Sequence, residues 1–441
     1  MIQRLFRFLQ ESPVQFLACD AVTRRLSLAG YRRLDPQAQI GTLRAGEKFY
    51  VTKNDSSVYA VHIGAKPLAD AGFNLICAHS DSPTFRLKPN AVIAGGKTLA
   101  KLNVEAYGGA ILSTWFDRPL SLAGRVMLKN HEHPFAPISH HVHIKRPLMT
   151  IPNLCIHFNR EVNKGVSLSI QKDMQPIVAA LSEQLSTENC LHDLLSEVVE
   201  HPADILDYDL YLYDTTPPCT FGVHDEFISA GRLDDLEMVS AGLEALIAGA
   251  DETPDVTRIL AVFDNEETGS LTKQGAASSF FPSLVERVVM AQDGTREDYF
   301  RAVEKAFMVS ADNAHAWHPN YPEKYDPACY PVLGGGPVIK FNAAQKYASD
   351  ARSAAVFQSI CTLAGVPFQR FVNHGDVAGG STLGNILTAN MPIAGVDMGN
   401  AILAMHSVRE TASVLDYIYC VRAFEQFYDV ACRDACKMEK E

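Results

Sequence analysis

The period of the apolar positions changes along the chain, and the changes predict its elements. Residues 1–30 carry helical spacing, while "YAVHIG" and "FNLICAHSDSP" read as short strands with turn chemistry between them. The second of these is apolar from Phe73 to Ala78 and stops abruptly at His79-Ser80-Asp81-Ser82-Pro83. From about residue 92 to 225 helical periodicity mostly disappears. Alternating stretches such as "SLAGRVML" and "HHVHIKRPLMTI" predict β-strands there, interrupted by one helical patch, "IVAALSEQLSTENCLHDLLSEVVE". From "GRLDDLEMVSAGLEALIAG" onward, helices alternate with buried strands: "RILAVF", "KAFMVSAD" and "IAGVDMG". Such alternation builds an open α/β sheet. The expectation is an α/β domain made of residues 1–91 and 226–441, split by a β-rich insertion at 92–225. The glycine-rich "LGGGPV" and "AGGSTLG" lack the ending of a P-loop and the spacing of a dinucleotide fingerprint, so they read as turn glycines.

Composition narrows the class. A chain of 441 residues fits two domains, or one large domain with an insertion, and 47% hydrophobic residues supply ample core. The formal net charge of −12, with no basic stripe, excludes a nucleic-acid binder. Ten scattered cysteines without a CxxC pair read as reduced, mostly buried thiols rather than a disulfide framework. The opening "MIQRLFRFLQESP" is interrupted by Arg4 and Arg7 and lacks the features of a signal peptide, and no apolar run reaches the ~20 residues of a membrane helix. A cytoplasmic protein without membrane partners is expected.

The stretch "ILAVFDNEETGS" ends a buried-looking strand in two adjacent glutamates. Neighbours on a strand face opposite ways. Past the strand's end both carboxylates could reach one cleft and divide the work, one holding a metal and one moving a proton. Polar residues recur at the same position in other segments: His79 and Asp81 after "LICA", Asp312 after "FMVSA", and His406 after "AILAM". Asp234 and Asp235 instead open a helical stretch. The carboxyl ends of strands in α/β sheets form the ligand crevice. Imidazole and carboxylate donors without thiolate suit zinc, and a carboxylate can bridge two ions. Glu266 or Glu267 is then free to act as a general base. Asp81 could orient a metal-bound His79 or cap the following turn.

The ordered pieces "AHSDSP", "IPNLCIHFNR", "GRLDDL", "DNEETGS", "SADNAHAWHPNY", "GPVIKFNAAQKYAS", "GGSTLG" and "MHSVRE" resemble the aspartyl aminopeptidase family of zinc metallopeptidases. The resemblance implies a zinc-peptidase-like mixed sheet flanked by helices, with the β-rich insertion serving dimerisation. It also implies two Zn2+ per subunit and a dimer-based homododecamer acting on peptides with a free N-terminus. Carried over by motif, His79, Asp234, Glu267, Asp312 and His406 resemble zinc ligands, with Asp234 bridging. Asp81 resembles the residue that orients His79, and Glu266 the general base. His157 resembles a histidine lent to a neighbouring subunit's site, and His315, Lys340 and Tyr347 resemble substrate contacts. Lys340 would face the acidic side chain of an Asp- or Glu-terminated peptide. Three positions depart from the family pattern: Asp235 stands where many relatives have Asn, and His374 and Asn385 stand where a basic residue and a Pro are usual. A neutral or broad-specificity aminopeptidase on the same site is the alternative, and a non-catalytic scaffold or cargo particle is another.

Overall fold

The computed structural model describes residues 1–430; Cys432 and Cys436 lie outside them. The chain divides into two compact units, one made of residues 1–81, 219–405 and 410 onward, the other of residues 82–218 with 406–409.

The first unit is built on a nine-stranded mixed sheet. Its order is Arg32–Arg33, Lys48–Lys53, Ser57–His62, Thr257–Phe263, Phe73–His79, Phe307–Ala311, Ala394–Gly399, Val338–Lys340 and Gln369–Phe371. The four strands from Thr257–Phe263 to Ala394–Gly399 run parallel. Helices cover both faces, which is why these strands read as unbroken apolar runs. Ile76, Leu260 and Val309 pack on one face against Leu5, Leu236 and Phe424, whereas Leu75, Ile259 and Met308 pack on the other against Phe281, Leu284 and Leu387. The predicted helical stretch at the N-terminus is two helices, Ile2–Glu11 and Gln15–Leu28. They break at Ser12-Pro13 because the residue before a proline is pushed out of the helical region.

The second unit holds a six-stranded antiparallel sheet in the order Ile138–His143, Leu120–Leu128, Ile205–Asp214, Thr84–Gly95, Leu99–Tyr107 and Ile177–Ala180. Phe85, Leu102, Trp115, Leu122 and Leu210 fill its core. The change of sequence texture at residue 92 falls inside Thr84–Gly95, which pairs with Leu99–Tyr107 along most of its length. The predicted helix at 177–200 is only partly helical: Ile177–Ala180 is a strand, and the helix is confined to Cys190–Leu195. The β-branched Ile177 and Val178 favour pairing with the sheet edge, where Ala180 sits opposite Leu99.

The eight described cysteines are free thiols, five of them buried. No helix among the described residues is long and apolar enough to cross a membrane.

Candidate metal centre

Parallel pairing gathers the chemistry. Phe73–His79 lies between Thr257–Phe263 and Phe307–Ala311, with His79 in register with Phe263 and Cys77 with Ser310. Residues just past these three strands therefore leave the sheet at one edge, the usual position of a ligand crevice.

The adjacent glutamates are off the strand. Asn265 adopts a left-handed conformation (φ 62°) and its N–H donates to Asp264 Oδ1 at 2.7 Å. Asn is among the few non-glycine residues that tolerate this region. The chain thereby turns into a short 3₁₀ segment, Glu266–Thr268, that carries both glutamates. The buried Asp81 holds the segment in place. Its Oδ1 accepts the Glu266 N–H at 3.1 Å and its Oδ2 the Glu267 N–H at 3.2 Å. The Asp81 carbonyl oxygen lies 3.1 Å from His79 Nδ1 and its carboxylate 3.4 Å from the same atom. Asp81 thus both orients the imidazole and caps the turn.

Asp234 follows Arg232, itself left-handed at φ 60°, and keeps non-helical angles at the head of Leu233–Ala248. Its N–H donates to Glu410 Oε2 at 3.1 Å, and its Oδ1 lies 3.5 Å from His79 Nε2. The buried Asp235 accepts the His79 backbone N–H at 3.0 Å. Asp312 receives Lys340 Nζ at 3.0 Å, and the same ammonium donates to the Asn313 carbonyl at 3.1 Å. Asn313 Nδ2 closes the circuit on Leu233 O at 2.8 Å. Asn313 and Glu410 are site residues that sequence reasoning missed. Each lies beside or within a quoted motif, but nothing in residue type alone marks it as a hydrogen-bonding partner.

Donor atoms of His79, Glu266 and Glu267 lie within 4.8 Å of one another, as do those of His79, Asp234 and Asp312. Oxygens of Asp234 and Glu267 are within the same distance. Burial opposes the His79 imidazolium, yet the Asp235, Asp234 and Asp81 carboxyls outweigh it and hold its pKa well above the ordinary value. Burial pushes Glu266 up to about 9, with Asp312, Glu267 and Asp81 adding to the rise against His79. Asp81, Asp234, Asp235, Glu266, Glu267 and Asp312 thus crowd around one imidazole and one ammonium, an excess of acceptors and negative charge that added cations would neutralise. Imidazole and carboxylate donors at this spacing fit zinc.

The remaining predicted residues sit on several elements. Lys340 is 2% exposed and its ammonium lies 5.3 Å over the Tyr347 ring, which is also buried. His315 is exposed, with its ring edge-on to Phe371 at 5.8 Å. His406, at φ 68°, belongs to the second unit, where its Nδ1 is 3.2 Å from the Gly109 carbonyl. His157 also lies in the second unit, exposed in an irregular stretch beside the exposed Leu154, Ile156 and Phe158.

Residues 8–428 match the family model described as aminopeptidase I zinc metalloprotease (M18). The chain is 45% identical to a probable M18 family aminopeptidase 2 of Clostridium acetobutylicum, covering 97% of this chain and 98% of that protein. It is 40% identical to a protein of the same description from Pseudomonas aeruginosa, over 97% of each. Among solved structures, the chain is similar to one from a cryo-EM structure of an Ape4 and Nbr1 complex, with a TM-score of 0.92 and 34% identity over 97% of this chain and 85% of that one. It is also similar to the S. cerevisiae mApe1 dodecamer structure, with a TM-score of 0.82 and 26% identity over 97% and 95% of the two chains. Ordered motifs, sheet topology and metal-donor clusters therefore converge on one assignment: the chain belongs to the M18 family and is a zinc-dependent metalloaminopeptidase.

Proposed function

We propose that this protein is a broad-specificity aminopeptidase that accepts neutral N-terminal residues, rather than one restricted to Asp and Glu. One observation carries the reading. The Lys340 ammonium, the group available to recognise an acidic side chain, is buried and committed to Asp312 and the Asn313 carbonyl. Drawing it toward a substrate would break an ion pair to a metal-donor residue. Lys340 therefore serves the metal centre, and an acidic side chain gains no dedicated partner from it.

His79, Asp234, Glu267, Asp312 and His406 would hold two zinc ions. Bound zinc supplies Lewis-acid charge for polarising the scissile carbonyl and for activating water. The chain's own residues do the rest. Glu266 sits beside these donors with its N–H fixed by Asp81, so its carboxylate is placed to take a proton from the attacking water and return it to the leaving amine. His315 and Tyr347 contact the substrate, with the Tyr347 hydroxyl supporting the developing oxyanion. The retained Glu266 has no role in a non-catalytic scaffold.

The second unit serves self-association into dimers and, as in the mApe1 structure, a dodecamer. The exposed Leu154, Ile156 and Phe158 offer an apolar surface for that contact, and His157 among them acts in a neighbouring subunit's site. Mixing His157→Ala with Glu266→Gln protomers should restore partial activity; none would return if His157 acts only within its own chain. The eight reduced thiols accord with a cytoplasmic setting.

A panel of aminoacyl chromogenic substrates on zinc-loaded enzyme tests the specificity. Leu and Met substrates should fall within about tenfold of the best acidic one. An advantage for Glu and Asp of a hundredfold or more would overturn the reading.

A further inference from the structure

The centre of Ala394–Gly399 carries a carboxylate that the mechanism above does not use. Asp397 is 0% exposed. Its Oδ2 accepts the Ala348 backbone N–H, and its Oδ1 accepts the Thr382 hydroxyl at 2.7 Å. Its own N–H donates to Ser349 Oγ at 2.9 Å, and that hydroxyl donates to the Asp397 carbonyl at 3.3 Å. One residue in a rigid strand thus grips two irregular segments, the one through Tyr347 to Ser349 and the one entering the helix Leu383–Asn390.

Both segments border open space on one side. A cavity of about 620 Å³ opens between Phe341–Lys346 and the stretch from Val372 to Gly379. A second, of about 940 Å³, is lined by Tyr347, Ala348 and Asn385. The Tyr347 segment is therefore flanked by open space, and the hydrogen bonds with Asp397 add to the packing of Tyr347 beside Val338 and Phe371 in fixing it. Gly384 belongs to the same arrangement. A Cβ there would lie 2.6 Å from either Asp397 oxygen and 2.7 Å from Ser310 Oγ. The glycine lets the helix head approach the carboxylate, which explains why "GGSTLG" needs a small residue at that place.

We propose that Asp397 is a positioning residue for catalysis: its carboxylate pins the Ala348 and Thr382 segments so that Tyr347 stays aligned with the reacting carbonyl. The inference rests on the role of Tyr347 given under the proposed function. Misplacing a catalytic contact by ~1 Å can cost on the order of a hundredfold.

A double-mutant cycle on the zinc-loaded enzyme tests it, using a leucyl chromogenic substrate. Asp397→Ala should lower kcat about 10- to 100-fold at unchanged zinc content. Asp397→Asn should recover most of it, since the amide oxygen can accept from Ala348 and the NH2 can donate to Thr382 Oγ1. With Tyr347→Phe as background, Asp397→Ala should cost little more, because its effect passes through Tyr347. If Asp397→Ala does not fold, Thr382→Val replaces it in the same cycle. Equal fold losses in both backgrounds would overturn the inference while leaving Tyr347 in its role. A Tyr347→Phe enzyme with wild-type kcat would remove that role, and the inference with it, while the substrate panel still judges specificity separately.

Discussion

Replacing Lys340 with Met removes an ammonium that is 2% exposed and keeps most of the side-chain volume. The consequence follows from what the ammonium touches. Asp312 Oδ1 loses its partner at 3.0 Å and the Asn313 carbonyl loses one at 3.1 Å. Breaking a buried pair by deleting one member typically costs ~3–5 kcal/mol, because the other charge remains buried alone. Bound metal relieves part of that cost at Asp312, so the loss should show as weaker metal binding of about 10- to 100-fold, the usual effect of removing a partner behind a ligand. The assay pairs competitive zinc titration with kcat/KM for Leu-, Glu- and Asp-terminated substrates at saturating zinc. All three substrates should lose activity by similar factors, and zinc affinity should fall. If zinc affinity is unchanged and only the acidic substrates lose more than tenfold, Lys340 reads the substrate and the reasoning fails.

Glu266→Gln should retain zinc and lose ~10²–10⁴-fold in kcat, because an amide cannot take the proton; near-normal turnover would remove Glu266 as the base. Gly384→Ala should destabilise the protein by about 1–3 kcal/mol in denaturant titrations, since the new methyl meets a buried carboxylate on a rigid strand; an unchanged midpoint contradicts this close approach. Asp416 accepts the Gly334 and Gly336 N–H groups at 2.7 Å each, yet burial lifts its pKa to about 6. Its folded pKa is raised, so its contribution to stability is full below the unfolded-state pKa and is lost as pH rises through about 6. Asp416→Asn lacks that titration, so its stability relative to wild type should climb by up to about 3 kcal/mol between roughly pH 4 and 7. A pH-independent difference would contradict the assignment.

The strands were legible because burial on both faces leaves unbroken apolar runs, as in "FNLICA" and "RILAVF". A cluster of possible metal donors was legible for a related reason. Parallel strands end at a common edge, so His79, Glu267 and Asp312 could be grouped before their distances were known. What sequence could not supply was the direction of individual side chains. Lys340 follows "PVI" and reads as a strand-end charge facing a substrate, but its ammonium turns back onto Asp312. Asp235 and Asp397 hold backbone segments 156 and 49 residues distant in sequence, and such contacts leave no periodic trace. The strand Ile177–Ala180 was hidden because its short apolar run continues into a helix-like stretch, and only the available sheet edge decides between the two states.

Stepwise zinc titration of the metal-free enzyme, read by turnover of a leucyl substrate, tests the central claim most directly. Activity should be absent without metal and should reach its maximum at two equivalents per chain. Full activity at one equivalent, or turnover that persists with no metal bound, would contradict the proposed two-ion centre of His79, Asp234, Glu267, Asp312 and His406.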